Sequence, residues 1–427
     1  MLSVFVNAWK VKDIRKKFYF ILLLLAVYRL GCHIGLPGIN AEALTVPAGE
    51  DISMMMLIMG GNTGTIFAMG ISPYITASII MQLLTVAIPR LEQIQKEGEE
   101  GRKKINQYTR IAAIVLAVIQ GSATVFSLAN STFTNHLGQA VSYFRHGNPM
   151  VYVVAVVAIV TGTMFVMWLS ELITEKGIGN GSSFIIFANI LSGIPNGIAV
   201  LAAYGTNGSA LDVVKVILVL IIFVFIIAFT VLVQEGERKI PVQYSKKMVG
   251  RQMYGGQSSY IPVKVNIAGV MSIIFSMSLI QLPQMAAQFF PNAGWLRNVV
   301  NFLNTSNWSG AIVYVFLIFC FTFFYTSFAV NPVEMAENMK KNGGFIPGIR
   351  PGKPTSDYIS RTINRLSWIG AVFYALIAMI PIVIEWVTKI RVGFGGTTLL
   401  IVVGVALELV KQIESQLLTR HYRGFLN

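Results

Sequence analysis

The carboxylate and nucleophilic side chains of this sequence are placed poorly for catalysis. Glu385 and Glu408 lie near the ends of two apolar runs, and neither is paired with a second carboxylate. The sequence contains neither the HExxH pattern of zinc proteases nor the GxSxG pattern of serine hydrolases. The GIGNG motif at 177–181 lacks the Gly-Lys-Ser/Thr and the preceding strand of a phosphate-binding loop. We therefore predict no catalytic residue, no metal and no cofactor, in a protein that is not an enzyme.

Two ionisable side chains, Arg29 and His33, lie inside the first apolar run. Charged groups are costly in lipid, and those that occur usually face a bundle interior and serve a function. Alternatively, Arg29 extends its long side chain toward the membrane surface or pairs with a carbonyl. The cysteines, Cys32 and Cys320, also lie within apolar runs. Their position predicts packing roles rather than a disulfide or a metal site.

The composition indicates a membrane protein with many spans. Of the 427 residues, 54% are hydrophobic and 12% are charged, whereas soluble domains carry about 25% charged residues. Runs of about 20 apolar residues can cross a bilayer, and no segment shows the alternation typical of a membrane β-barrel. The ten apolar runs cover residues 18–37, 71–89, 111–130, 151–170, 184–203, 213–233, 267–289, 311–330, 366–386 and 396–412.

The positions of Lys and Arg predict the orientation of these spans. If the chain starts in the cytoplasm and crosses ten times, the cytoplasmic segments contain 27 of the 33 Lys and Arg. The outer segments then contain five. Because Lys and Arg concentrate in cytoplasmic loops, we predict that both termini face the cytoplasm. No cleavage site follows the basic residues at 10–17, so we expect the first span to be retained.

The second apolar run, within 60–89, is interrupted. Glycines loosen its start, and Gly70 and Pro73 interrupt its middle, since proline has no N–H to donate within a helix. Broken backbone at membrane depth is tolerated only inside protein or beside a watery cavity. We expect a short piece at 52–69 to dip into the membrane region before a full span. Such a broken helix usually marks a transport pathway.

Two long basic loops differ from the other connections. Segment 235–265 has β-branched runs bounded by Gly and Pro, which predict a hairpin. Segment 331–365 contains FIPGIRPGKP around Arg350, which predicts a stiff protruding tip rather than a helix. Loops this long predict a docking platform for an acidic protein surface or RNA, with positive-inside anchoring as the alternative. The shorter loops 90–110 and 175–183 predict a solvated helix-turn and a tight turn.

Six motifs in register resemble the SecY family, the channel-forming subunits of the general (Sec) protein translocon. They are IFAMGISPYITASIIMQLL (66–84), EGRKKINQYTR (100–110), TGTMFVMWLSELITEKGIGNGSS (161–183), KVNIAGVM (264–271), NPVEMAENMKKNGGFIPGIRPG (331–352) and FGGTTLLIVVGVALE (394–408). The resemblance implies an all-α polytopic membrane protein with ten transmembrane helices. These form two pseudo-symmetric five-helix halves, 1–205 and 206–427, around an hourglass pore. A short plug half-helix near 52–65 is also implied, with Met59, Gly60, Gly61, Asn62 and Thr63.

The resemblance further implies a ring of aliphatic side chains at the waist of the pore. By motif, the ring residues are Ile71, Ile75, Ile186, Ile274, Ser278 and Ile401. Residues four apart share a helix face, as the first two of these do. A narrow apolar ring stays dewetted and resists ions without needing a charge. The alternative is that these are ordinary core residues of an isoleucine-rich chain.

The resemblance also implies a lateral gate between spans 2 and 7, and cytoplasmic docking loops. Near the gate, Gln82 and Asn266 could form an inter-helix hydrogen bond. The residues implied in motor or ribosome binding are Lys246, Lys247, Arg251, Pro347, Gly348 and Arg350. The implied partners are SecE and SecG-type small membrane subunits, the SecA motor ATPase, the ribosome, preprotein signal sequences and anionic lipids.

The function implied is a passive protein-conducting channel in the bacterial cytoplasmic membrane. It would be driven by a partner motor or ribosome, because the chain has no nucleotide site. A specialised accessory translocon with a narrow set of clients is one alternative. A secondary transporter is another, suggested by the broken helix, but it would need a polar mid-membrane site that the sequence does not show.

Overall fold

The computed structural model describes residues 9–40, 64–130, 132–134, 140–144, 148–207, 210–244, 247–249, 252–254, 258–290, 293–305, 307–388 and 396–424. Helices dominate this part of the chain. In chain order they are α1 (Lys12–Gly31), α2 (Ser72–Ala87), α3 (Pro89–Lys96), α4 (Glu99–Ala129), α5 (Pro149–Lys176), α6 (Gly181–Asn207), α7 (Ala210–Glu235), α8 (Met271–Phe289), α9 (Gly294–Leu303), α10 (Trp308–Ala329), α11 (Pro332–Lys341), α12 (Lys353–Thr388) and α13 (Gly396–Gly424).

A helix covers most of each of the ten predicted spans. Within the described ranges, six helical stretches are long and apolar enough to cross a membrane by themselves. The pair α2 and α3, bent by 101° at their junction, raises that number to seven. Helices α1 and α8 are not among these stretches. Four Lys and Arg residues occupy the first turns of α1, and Ser and Gln residues lower the mean hydropathy of α8. The chain is therefore a multi-pass helical protein, and the count of ten crossings stays a prediction.

The interruption predicted near Gly70 is confirmed, but its position differs in one respect. Residues 64–71 form turns, with Gly70 at a φ of 49°, and α2 begins at Ser72. Pro73 therefore starts the span instead of interrupting it, in the first turn where helical N–H groups have no partner. The rest of the predicted short piece, 52–63, with all five plug residues, lies outside the described residues.

The predicted hairpin at 235–265 is confirmed. A strand from the second basic loop, which the sequence did not predict, adds a third strand to its sheet. Strands β3 (Glu237–Tyr244) and β6 (Ser258–Lys264) pair antiparallel, with β4 (Lys247–Val249) and β5 (Gln252–Tyr254) between them in sequence. Strand β7 (Gly344–Phe345), from the second basic loop, pairs with the end of β3. The two loops therefore share one sheet. A separate small hairpin joins β1 (Thr132–Thr134) and β2 (Ala140–Ser142).

The largest hydrophobic cluster joins helices from both predicted halves of the chain. It contains residues of α1, α2, α5 and α6, and also of α8, α10 and α13. A second cluster lies mainly among α7, α8, α10, α12 and α13. The first cluster therefore contains residues from both sides of the boundary predicted at residue 205, and the two predicted halves pack against each other there.

Candidate pore constriction

The five predicted ring isoleucines lie in the hydrophobic cluster that joins the two halves. They are Ile71, Ile75, Ile186, Ile274 and Ile401, and none is more than 9% exposed. They come from the start of α2 and from α6, α8 and α13. The sixth residue, Ser278, lies one helical turn after Ile274; it is buried and its hydroxyl has no hydrogen-bond partner. An apolar meeting point of four helices can exclude water and ions.

A cavity of about 490 Å³ adjoins three of these isoleucines, Ile75, Ile186 and Ile274. Its polar lining comes from α2 and from the neighbouring ends of α4, α5 and α6, and includes Gln82, Asn106 and Thr174. The GIGNG segment forms the predicted tight turn between α5 and α6, with Gly179 at a φ of 86°. The cavity thus has a polar rim and an apolar wall that reaches the predicted ring.

An ion pair that sequence reasoning missed lies at the rim of this cavity. Arg110 Nε on α4 donates to Glu171 Oε1 on α5 at 2.6 Å, and both side chains are partly exposed. They are 61 residues apart, so no local pattern links them. The only available signal was that opposite charges occur near the same predicted membrane boundary. The pair ties α4 to α5 beside the cavity.

The predicted seam between spans 2 and 7 corresponds to the contact of α2 with α8. The hydrogen bond suggested for Gln82 and Asn266 does not join these two side chains. Gln82 Nε2 donates to Ser78 Oγ of its own helix at 3.4 Å, and its Oε1 is buried without a partner. Asn266 accepts from the N–H of Gly269 and from the Tyr374 hydroxyl on α12. Because Asn266 precedes α8 in a turn, its amide stabilises that turn and contacts α12.

The predicted docking loops form one small structure with its own core. The sheet packs its buried face against α11 and the start of α12, through Ile240, Val242, Ile346, Ile359 and Ile363 among others. Pro347, Gly348 and Arg350 lie on the exposed side. As predicted, residues 346–352 form no helix, but Pro354 lies in the first turn of α12. Lys247 belongs to β4, whereas its side chain, Lys246 and Arg251 lie outside the described residues.

The comparisons with known proteins match this arrangement. The SecY family model matches residues 65–410. The chain belongs to the SecY family. A SecY relative, the protein translocase subunit of Streptomyces scabiei, is 42% identical over 438 residues, with all of both chains covered. The SecY subunit of Thermus thermophilus is 42% identical over 442 residues, covering 100% of this chain and 98% of that relative.

The SecY fold is also found in solved structures. One, described as "The structure of a protein conducting channel", has a TM-score of 0.66 and 18% identity, covering 95% of this chain and 93% of the other. Sec61 in a canine ribosome-channel complex has a TM-score of 0.62 and 17% identity, covering 94% and 92%. Identities this low show the shared fold alone.

Proposed function

We propose that the chain is the channel-forming subunit of a protein translocase, which passes unfolded preproteins across the cytoplasmic membrane. One observation carries the proposal: five buried isoleucines from four helices belong to one cluster beside a cavity. Full-length identity of 42% to bacterial translocase subunits supports it. The chain supplies the passage and no energy, so a partner motor or ribosome drives transport.

In this proposal the isoleucines, with Ser278, form the constriction. A dewetted apolar ring holds back ions and protons at rest. Isoleucine side chains form no hydrogen bonds with one another, so the ring opens around a passing chain and closes behind it when the helices move apart and return. The halves 1–205 and 206–427 separate at this point, and the plug expected near 52–65 blocks the outer side.

The seam between α2 and α8 acts in this proposal as the lateral gate. Signal sequences and membrane segments of clients are apolar, and the cavity beside the seam presents Ile75, Ile274 and Phe275 to them. Gln82 also lines this cavity. Its Oε1 accepts no hydrogen bond from protein atoms, so it can accept one from a client segment that enters the cavity.

The basic platform of β3, β6, β7 and α11 is the proposed docking site for SecA and for the ribosome. Support comes from the exposure of Arg350 on a tip held by a packed core, and from the fold shared with a Sec61 channel seen in a ribosome complex. SecE and SecG-type subunits and anionic lipids are further proposed partners. The charge distribution supports cytoplasmic termini.

Reconstitution tests this function directly. Proteoliposomes containing the chain, SecE and SecG-type subunits, SecA and ATP should accumulate protease-protected preprotein. Vesicles without ATP serve as the control and should accumulate none. Ion-coupled uptake of small solutes, with no protected preprotein, would contradict the proposal and favour a secondary transporter.

A further inference from the structure

A buried tyrosine on α1 contacts α6 and the turn segment before α2, two places in the N-terminal half that carry ring residues. Tyr28 has no exposed surface. Its hydroxyl donates to Asn189 Oδ1 on α6 at 2.8 Å, across 161 residues of sequence. Its ring stacks on that of Phe67, with centroids 5.8 Å apart and an interplanar angle of 4°. One side chain therefore fixes α1 against both α6 and the turn segment before α2.

Both contacts lie close to ring residues along the chain. Asn189 follows Ile186 by three residues on α6, so both are on neighbouring parts of one helix face. Phe67 precedes Ile71 by four residues, and the N–H of Gly70 donates to the Phe67 carbonyl at 2.9 Å, which keeps this turn tight. A shift of Tyr28 would therefore be transmitted to Ile71 and Ile186.

The turn segment depends on α1 because it lacks a continuous helical ladder of its own. Two backbone hydrogen bonds tie it to the segment that directly follows α1: Ile66 N–H to the Ile34 carbonyl at 2.9 Å, and Leu36 N–H to the Gly64 carbonyl at 2.8 Å. A Cβ at Gly31 would lie 1.9 Å from the Phe67 ring. Glycine is thus needed there for Phe67 to lie against α1.

The other face of Phe67 is covered as well. It stacks on Phe165 of α5, with ring centroids 5.9 Å apart. Phe67 therefore lies between α1 and α5. We propose that Tyr28 is a positioning residue of the constriction: through Asn189 and Phe67 it holds Ile186 and Ile71 at the separation that closes the ring. This inference rests on the proposed function, because it presumes that the ring seals the resting channel.

The hydrogen bond between Tyr28 and Asn189 can be tested by a substitution that removes a single oxygen atom. Asn189 is buried, and its Nδ2 has no partner in the structure. In Tyr28→Phe the stacking surface stays, but Asn189 Oδ1 also loses its donor and must move to find one. Asn189→Leu removes both amide polar atoms and keeps the branching at Cγ, and in combination with Tyr28→Phe it leaves neither hydrogen-bonding partner unsatisfied.

The experiment measures ion leak through the resting channel in proteoliposomes, together with thermal stability of each variant. Tyr28→Phe should raise leak several-fold at temperatures well below unfolding. Asn189→Leu should raise it too, and the double variant should leak no more than the worse single variant. Phe67→Leu, which removes the stacking contact, is a second route to the same increase.

Tyr314→Phe is the matched control. Tyr314 on α10 is also buried, but its hydroxyl has no hydrogen-bond partner, so its removal should leave leak unchanged. Lower stability of Tyr28→Phe and Phe67→Leu with wild-type leak would overturn the positioning role and leave a structural one. If Ile71→Asn fails to leak in the same assay, the proposed ring itself is wrong, whatever the Tyr28 variants do.

Discussion

Ile71 and Ile75 are joined by the first backbone hydrogen bond of α2: the N–H of Ile75 donates to the carbonyl of Ile71 at 3.1 Å. Ile71 is the residue at which the turn segment becomes helix, and Ile75 lies one turn inside. Pro73 between them pre-sets the backbone for the helix start. This hydrogen bond couples the positions of the two side chains. A constriction lined by only a few residues requires such coupled positions.

Charge reversal at Arg350 should block translocation. Its side chain is exposed, while the Arg350 carbonyl accepts from Thr355 Oγ1 at 2.9 Å and so helps to fix the tip. Arg350→Glu keeps that backbone contact and reverses only the charge offered to a partner. We expect motor-driven preprotein import to fall at least tenfold, with normal insertion of the channel into the membrane.

Arg297→Glu is the control for this prediction. Arg297 is exposed on α9, which follows the opposite end of α8 from the platform. Import by this variant should match the wild type. Normal import by Arg350→Glu would remove Arg350 from the docking site.

A covalent link across the seam should lock the channel. Ser78 of α2 and Met271 of α8 line the same cavity, so Ser78→Cys and Met271→Cys together should react with a short bifunctional maleimide. The native cysteines, buried Cys32 and exposed Cys320, are first replaced by Ala. The cross-linked channel should release no membrane segment into lipid, whereas each single-cysteine variant should work after the same treatment. Lateral release by a fully cross-linked channel would argue against this gate.

The ion pair of Arg110 and Glu171 should contribute little to stability despite its 2.6 Å distance. Both groups are partly exposed, and pairs of this kind are worth about 0.2–1 kcal/mol. A double-mutant cycle with Arg110→Gln and Glu171→Gln, measured by unfolding in detergent, should give a coupling energy in that range. Added salt should reduce it. A coupling above about 3 kcal/mol, typical of breaking a buried pair, would contradict the exposure seen here.

Two glycine substitutions should differ sharply. A Cβ at Gly162 of α5 would lie 2.3 Å from the backbone oxygen of Ile66. Gly162→Ala should therefore push the turn segment away and cost roughly 1–3 kcal/mol of stability. Gly205 of α6 has no atom within 4 Å of such a Cβ, so Gly205→Ala should be neutral or stabilising. Equal thermal unfolding of both variants would mean that α5 does not approach the turn segment so closely.

Local sequence patterns predicted the helices, the break near Gly70 and the hairpin, because periodicity and turn residues act over a few positions. They could not predict that β7 joins β3, or that Tyr28 bonds to Asn189, because such partners lie about 100 or more residues apart with no local signature. Gln82 and Asn266 show the same limit of sequence-based prediction. Their amide side chains indicated that each forms hydrogen bonds, but not with which residue. The motif resemblance supplied the ring positions, which periodicity alone could not separate from other buried isoleucines.

The central claim is that an apolar ring seals the resting channel, and ion conductance in planar bilayers tests it most directly. Ile71→Asn and Ile75→Asn place an amide in the ring and should each raise resting conductance at least tenfold, because a polar group lets water enter. Ile221→Asn, on an exposed face of α7, is the control and should stay sealed. Ring variants as tight as the wild type, or a control that leaks equally, would contradict the account.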